Sequence, residues 1–321
     1  MKAVRVHEHG GPEVLRYEEV PDPRPAAGTA VVEVKASGVN FIDIYHRTGQ
    51  YPAASLPYVV GTEAAGIVRE VGEGVSAVRP GDRVACFAPV GTYAEAIAVP
   101  ADRLVPVPPQ LDLRVAAALL LQGMTAHYLA LSTYPLRAGV RCVVHAAAGG
   151  VGLLLCQIAR RQGAEVIAIT STPEKAELAR AAGANQVIGY DGFDLQVRAL
   201  TAGRGVEVVY DSVGKTTFEA SLRCLAPRGM LALYGQASGA VPPLDPQVLA
   251  RGGSLYLTRP VLGHYVLDRA ELLARADDLF RWILEGSLSV RIGLELPLAE
   301  AREAHRRLGG RDTTGKVLLI P

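Results

Sequence analysis

Cysteine is scarce: four residues in 321, at positions 86, 142, 156 and 224, with no C-x-x-C spacing among them. That spacing excludes a cysteine zinc ribbon and a thioredoxin-like dithiol. Cys142 and Cys156 lie among apolar residues and are expected to be buried thiols. The seven histidines (7, 9, 46, 127, 145, 264 and 305) hold one close pair, His7 and His9, in a strand-to-turn segment read as solvated. No ligand-spaced histidine set remains. The formal net charge is only +1, which argues against nucleic acid as a main partner, because that binding rests on neutralising phosphates. Apolar runs fall short of the roughly 20 residues of a membrane helix, so no membrane partner is expected. The start, M-K-A-V-R-V-H, lacks the apolar centre of a signal peptide, and a cytoplasmic location is expected. Lysine occurs only at 2, 35, 175, 215 and 316, and asparagine only at 40 and 185. There is no internal repeat and no low-complexity linker.

What is present supports substantial cores: the chain is 49% hydrophobic, and its length suggests about two domains. The first stretch, 1–124, alternates short strands with Gly/Pro turns. Strands are expected at Met1–His7, Ala30–Ser37, Ala65–Val71 and Arg83–Phe87, in a twisted, partly closed barrel. Leu113–Tyr128 is apolar and alanine-rich, hence helical. From 125 to 262 strands alternate with helices. Strands are expected at Arg141–His145, Glu165–Thr170, Gln186–Gly189, Val206–Asp211, Gly229–Tyr234 and Ser254–Thr258, with helices at Pro173–Ala182 and Thr216–Cys224. That alternation predicts an α/β, doubly wound parallel sheet of the Rossmann type. Residues 263–321 predict helices at Asp268–Glu285 and Ala299–Leu308, then a strand, Gly315–Ile320, with no place in a parallel sheet. The chain is expected to return to its first domain there.

The chain is organised around Val140–Ala159. A short β-branched strand leads into A-x-G-x-x-G at Ala147–Gly152, and a helix is expected from Val151 to about Gln162. This is the dinucleotide fingerprint with alanine for its first glycine. Gly149 would let the backbone approach a pyrophosphate, and Gly152 would let helix and strand pack closely. Gly150 and Val151 lie at the start of that helix, whose free N–H groups would face the phosphates. The fingerprint usually selects NAD with a carboxylate about 20 residues on. Here that place holds Thr170, Ser171 and Thr172. Thr172-Pro173 reads as a helix cap followed by a first-turn proline. Lys175 then opposes the helix dipole, a conflict that the 2′-phosphate of NADPH would resolve with hydroxyls from Ser171 and Thr172. The competing reading of Lys175 is a solvated surface lysine. Asp211 and Ser212 end a strand at the sheet edge where such folds bind ligands. Ser212 either meets the cofactor or caps the next helix.

Across nearly its whole length the chain resembles the medium-chain dehydrogenase/reductases, in their zinc-free quinone oxidoreductase and zeta-crystallin branch. The runs that carry the resemblance are N-F-I-D-I-Y (Asn40–Tyr45), G-T-E-A-A-G (Gly61–Gly66), V-x-P-G-D-R-V (Val78–Val84), Q-G-M-T (Gln122–Thr125) and H-A-A-A-G-G-V-G (His145–Gly152). V-V-Y-D-S-V-G (Val208–Gly214), L-Y-L-T-R-P (Leu255–Pro260) and T-T-G-K-V-L-L-I-P (Thr313–Pro321) follow in order. The resemblance implies a GroES-like β-rich substrate domain, a Rossmann cofactor domain and a cleft between them. Where zinc-dependent relatives carry Cys and G-H-E ligands, this chain has Asn40 and Gly61-Thr62-Glu63, so no metal is expected.

The same resemblance implies cofactor contacts at Phe41, Ile42, Asp43, Thr125, Tyr128, Tyr190, Tyr234, Gly235, Gln236, Ala237 and Arg311. For Asp43 the blander reading is a brace at a loop or helix start. Asn40, Tyr45 and Tyr51 would line the substrate cleft as catalytic residues, Asn40 by hydrogen bonding and the tyrosines by stacking or proton donation. Their alternative is simple packing. The implied activity is NADPH-dependent, zinc-independent reduction of a quinone. Two alternatives stand: an enone or enoyl reductase, and a non-catalytic nucleotide binder of crystallin-like or RNA-binding type. The resemblance further implies a homodimer through the edge strand 254–258.

Overall fold

Buried apolar residues set the first strands. β1 (Lys2–Val6) and β2 (Leu15–Glu19) pair antiparallel, turning Val4, Val6 and Leu15 into a core. The computed structural model describes residues 1–51, 55–87 and 90–321. Next come β3 (Thr29–Val39), α1 (Phe41–Arg47), β4 (Tyr58–Val59), β5 (Glu63–Val71), β6 (Arg83–Phe87), β7 (Ala96–Pro100) and β8 (Leu104–Pro106). β3 is the spine of this region. It pairs antiparallel with β5 and β7, and Val32, Val34, Val68, Val84, Ile97 and Leu104 fill the space the strands enclose.

α2 (Leu113–Tyr128) follows the alanine-rich run and continues through a wider helical turn at Leu129–Thr133. Leu113–Thr133 is 21 residues long and holds an 18-residue window of mean hydropathy 1.3, enough by length and composition alone to cross a membrane. Arg114, Gln122, Thr125 and His127 interrupt its apolar run. Yet 72% of its most apolar window is buried within the protein, and Ala116 to Leu120 are fully covered. It is a core helix.

The alternating region then builds β9 (Arg141–Val144), α3 (Gly150–Arg161), β10 (Glu165–Ile169), α4 (Pro173–Ala181), β11 (Gln186–Ile188) and α5 (Phe193–Leu200). β12 (Val206–Asp211), α6 (Phe218–Arg223), β13 (Leu225–Leu233), α7 (Gln247–Arg251) and β14 (Tyr256–Thr258) complete it. All six strands are parallel, in the order β11-β10-β9-β12-β13-β14. This is the expected Rossmann-type sheet, and its winding reverses beside β9, where such folds bind ligands. Val143, Ile167, Ile169, Val206 and Val209 are buried in it, as parallel strands covered on both faces require. β13 starts four residues earlier than the pattern suggested. β14 is two residues shorter, because Ser254 sits at φ 58, outside strand geometry.

α8 (Arg269–Leu284), β15 (Ile292–Pro297), α9 (Ala301–Gly309) and β16 (Lys316–Ile320) close the chain. Asp268 caps α8 by accepting from Glu271 N–H at 2.8 Å. β16 pairs antiparallel with β3 and parallel with β15, making a seven-stranded sheet. The chain thus forms two units, Met1–Leu121 with Val266–Pro321, and Gln122–Tyr265. The four cysteines are free and buried; burial pushes the Cys86, Cys156 and Cys224 thiols up to about 12.

Candidate functional site

In the second unit, the turn after β9 does what the fingerprint requires. Ala146 takes a left-handed φ of 47, and Gly149 (φ −76, ψ 171) caps α3, which begins at Gly150. The helix starts one residue earlier than expected, so Gly150, Val151 and Gly152 form its first turn, where N–H groups lack intrahelical acceptors. A Cβ on Gly152 would stand 2.5 Å from Ala146 O and 2.7 Å from Ala147 Cα. That contact is the close helix–strand approach the third glycine of the fingerprint serves.

After β10, Thr172 is extended and its hydroxyl accepts from Lys175 N–H at 3.3 Å, with Pro173 in the first turn. The Lys175 ammonium lies 3.4 Å from Ser171 Oγ. Two hydroxyls and a cation therefore meet at the start of α4, a donor set suited to a phosphate. One neighbour escaped the sequence reading: Glu174, whose carboxyl is held below its usual range by a hydrogen bond to Thr172. It already supplies negative charge to this turn. The case for an anion rests on the Ser171–Lys175 geometry more than on the helix dipole.

Ser212 follows β12 and hydrogen-bonds to Tyr234, a bond that works against the upward push of burial on that phenol. Tyr234 and Gly235 N–H donate to Asp211 O at 2.9 and 3.3 Å, and Ala237 N–H to Ser212 O at 3.1 Å. A Cβ on Gly235 would lie 2.5 Å from Ser212 O, so the loops after β12 and β13 interlock only with glycine there. Gln236 and Ala237 are half-buried beside them. The Tyr190 hydroxyl accepts from Ala146 N–H at 3.0 Å, which places that tyrosine at the fingerprint turn. Thr125 is 8% exposed. Tyr128 is 2% exposed, and its ring stacks on Tyr265 with centroids 4.1 Å apart.

In the first unit, α1 carries Phe41, Ile42, Asp43 and Tyr45, with Asn40 before it and Tyr51 after it. Tyr45 and Tyr51 meet edge to face at 5.3 Å, and Phe41 lies 6.3 Å from Tyr45. Asn40 is 3% exposed, and its amide bonds within the protein. Oδ1 accepts from Lys316 Nζ at 2.8 Å, while Nδ2 donates to Gly38 O at 3.2 Å and to Glu63 Oε2 at 3.0 Å. Asp43 has the geometry of the brace, closing a capping box with Asn40 at the start of α1. Fully buried, it accepts from Asn40 N–H at 2.8 Å, from Tyr93 OH at 2.9 Å and from Thr62 OH at 2.9 Å. Arg311 is exposed at a left-handed φ of 63.

Behind α1 stands a buried network that the sequence reading missed. Glu63 pairs with Lys316, and its other oxygen accepts from Leu121 N–H at 2.6 Å. Tyr93 OH lies 3.1 Å from His305 Nε2, and Arg47 donates to His305 Nδ1 at 3.0 Å. Arginine only donates, so Nδ1 accepts and Nε2 carries the proton. Burial and Arg47 hold His305 down at about 3, consistent with that neutral ring. One clue was legible: Lys316 is a lone charge opening an apolar strand, K-V-L-L-I. Among the described residues no group of three or more His, Cys, Asp or Glu could hold a metal ion.

The chain matches the alcohol dehydrogenase GroES-like domain over residues 26–109 and the zinc-binding dehydrogenase family over residues 150–273. A quinone oxidoreductase of Pseudomonas aeruginosa is 45% identical over 100% of this chain and 99% of its own. The solved structure of Escherichia coli quinone oxidoreductase complexed with NADPH superposes with a TM-score of 0.98 at 43% identity, covering 100% of both chains. This chain is a medium-chain dehydrogenase/reductase of the quinone oxidoreductase branch. A 2-haloacrylate reductase of a Burkholderia species is also 44% identical, over 99% of this chain and 98% of its own.

The buried carboxyl of this dehydrogenase/reductase gives a pH signature. Burial pushes Asp43 from 3.8 up to about 6, over the opposing pull of the Asn40 N–H, Thr62, Tyr93 and the Lys316 charge. The folded state therefore holds the extra proton between those values. Stability from this group is fully present below about pH 4 and is lost as pH rises through about 6, on the order of 3 kcal/mol. Urea unfolding of the wild type minus that of Asp43→Asn is expected to fall by that scale between pH 4 and 7. A flat difference contradicts the assignment.

Proposed function

We propose that this chain is an NADPH-dependent quinone reductase that works without a metal. The observation that carries the reading is the donor set at the turn after β10, Ser171, Thr172 and Lys175, beside the A-x-G-x-x-G turn. The residues fit a dinucleotide with a 2′-phosphate. N–H groups of Gly150, Val151 and Gly152 would receive the pyrophosphate past Gly149. Ser171, Thr172 and Lys175 would take the 2′-phosphate, and Tyr190 the adenosine end. Ser212 and Tyr234 to Ala237 would hold the nicotinamide half. NADPH, when bound, supplies a hydride from its nicotinamide C4.

The substrate class follows from what the first unit does with its side chains. Oxidising an alcohol calls for a Lewis acid to stabilise an alkoxide. At the two positions that hold metal ligands in zinc-dependent relatives, the Asn40 amide is bound by Lys316 and Glu63, and the Thr62 hydroxyl donates to Asp43. Glu63 beside them is taken by Lys316. A substrate must then be electrophilic already. A quinone is: hydride addition gives an aromatic hydroquinone anion with delocalised charge, which water can protonate. Positioning then supplies several kcal/mol of the rate, and Tyr45 and Tyr51 would lay the ring flat. The 2-haloacrylate reductase among the relatives favours a second reading, hydride addition to a polarised C=C. A cytoplasmic location and the absence of a nucleic-acid partner remain part of this proposal.

Consumption of NADPH, followed by absorbance against quinones and enones, tests the reading. Quinones are expected to turn over, simple alcohols with NADP to give nothing, and Tyr45→Ala, which removes the positioning ring, to lose about ten- to a hundredfold. Zinc present in stoichiometric amount together with inactivation by a chelator, or enone reduction far outrunning every quinone, overturns it.

Lys175→Ala is expected to cost NADPH roughly 1.5–3 kcal/mol of binding, as one charge-assisted contact does, and to spare NADH. An unchanged NADPH/NADH preference removes Lys175 from the site.

We further propose a homodimer through β14, the edge of the parallel sheet, where Tyr256 is 59% and Leu257 37% exposed. Apolar edges are templates for pairing, and pairing about a two-fold axis joins two sheets into one. Light scattering at micromolar concentration should return the dimer mass; a monomer rejects the interface.

A further inference from the structure

One buried cluster in the second unit is used by none of the steps above. His145 ends the stretch that leads into the fingerprint turn and is fully buried. Its Nε2 lies 2.9 Å from Ser221 Oγ. Ser221 Oγ lies 2.8 Å from Asp211 Oδ2, and Thr217 Oγ1 donates to the same oxygen at 2.8 Å. The other Asp211 oxygen accepts from Val213 N–H at 2.7 Å and Gly214 N–H at 3.0 Å.

A serine, a histidine and an aspartate in contact suggest a hydrolytic triad, and the order of the bonds excludes one. In such triads histidine lies between serine and aspartate and takes the serine proton. Here serine lies between the other two. A carboxylate has no proton to give, so Ser221 donates to Asp211 and must accept from His145, which puts the imidazole proton on Nε2. All three side chains are also inaccessible. His145 Nδ1 is left as a bare acceptor with no partner among the described residues. Burial lowers the His145 pKa against the pull of Asp211, which keeps the ring neutral.

The cluster ties together the ends of the strands that carry the nucleotide loops. His145 precedes the A-x-G-x-x-G turn, and its ring packs edge-on against Phe193 at 5.0 Å and beside Tyr190 at 6.0 Å. Tyr190 in turn holds Ala146 N–H. Asp211 fixes the Val213-Gly214 turn through its carboxylate and the Tyr234-Gly235 turn through its carbonyl.

We propose that the His145–Ser221–Asp211 chain is a positioning device that holds the loops after β9, β12 and β13 in dinucleotide-binding register, with His145 acting through the proton it donates to Ser221. The proposal rests on the NADPH reading and assigns it positioning residues that touch no substrate. It makes a prediction that a purely structural cluster does not. The loops it holds are shared by NADPH and NADH, whereas the Ser171–Lys175 cluster meets only the 2′-phosphate.

Isothermal titration of the full chain with NADPH and with NADH tests it, using variants whose melting confirms that they are folded. His145→Leu removes the donor, and His145→Gln places an amide N–H where Nε2–H stood. His145→Leu is expected to raise both dissociation constants by the same factor, about tenfold, the scale of one hydrogen bond, and His145→Gln to stay near wild type. Ser221→Ala, which breaks the chain at its middle, should match His145→Leu and serves in its place if the leucine variant does not fold. Wild-type binding by a folded His145→Leu or Ser221→Ala overturns the proposal. So does equal weakening by leucine and glutamine, which would make packing rather than the proton the cause. Failure of the wild type to bind NADPH would instead overturn the cofactor reading itself.

Discussion

The first unit depends on an ammonium and a carboxylate buried against each other, Lys316 and Glu63. Removing two charges from water is expensive, and such a pair persists only where further hydrogen bonds complete it. Here they do. Glu63 also receives Asn40 and the Leu121 N–H, and Lys316 also meets the Asn40 carbonyl. The contact thereby joins the first residue of β5, the first residue of β16, the cap of α1 and the middle of α2. Gly38 is fixed by the same crowding, since a Cβ there would stand 2.6 Å from both Ala117 O and Lys316 Cε. Losing either charge would leave the other buried and alone, a far larger penalty than losing a surface pair.

Beside this pair, Asp43 adds a second buried carboxylate within the same few residues, and the two are handled differently. Glu63 is neutralised by a formal cation. Asp43 is held only by neutral donors, Asn40 N–H, Thr62 and Tyr93, and Tyr93 leads on to His305 and Arg47. Burial therefore dominates at Asp43, and its carboxyl rises to about 6. The second unit repeats the design with Asp211, whose oxygens take two backbone N–H groups and two hydroxyls. In each unit a buried carboxylate brings a helix or loop carrying candidate contacts into register with a strand.

Much of this was legible beforehand, and what was missed has a common cause. The parallel sheet, α2 and the fingerprint turn follow from local periodicity, strand length and glycine spacing, all of which act over a few residues. The Thr172 cap and the close packing at Gly152 were readable for the same reason. The partners of Asn40, Glu63 and Lys316, were not legible because they are 23 and 276 positions away. The stack of Tyr128 on Tyr265 was not legible because Tyr265 comes 137 residues later. The network of Arg47, Tyr93 and His305 spans 258 positions. A sequence pattern shows that a polar residue sits in an apolar setting; it does not show which distant polar residue completes it.

A side chain that replaces a metal ligand could leave a polar hole for substrate, or it could be absorbed by the protein. Asn40 and Thr62 are absorbed: each spends its hydrogen-bonding groups on neighbours that are themselves buried. Recruiting either one to stabilise developing negative charge would break a bond inside the scaffold and leave its former partner unpaired, at about 1–3 kcal/mol or more for a charged partner. The rings proposed to meet a substrate are Tyr45, buried at 8% exposure, and the half-buried Tyr51, which pack edge to face. A protein so arranged gains little from substrates that need an oxyanion stabilised at the old ligand positions. It gains most from substrates whose own π-system spreads the incoming charge, because the protein then has only to orient a flat ring. That asks less of its electrostatics than of its geometry, and its geometry is what the two buried carboxylates of the first unit hold in place.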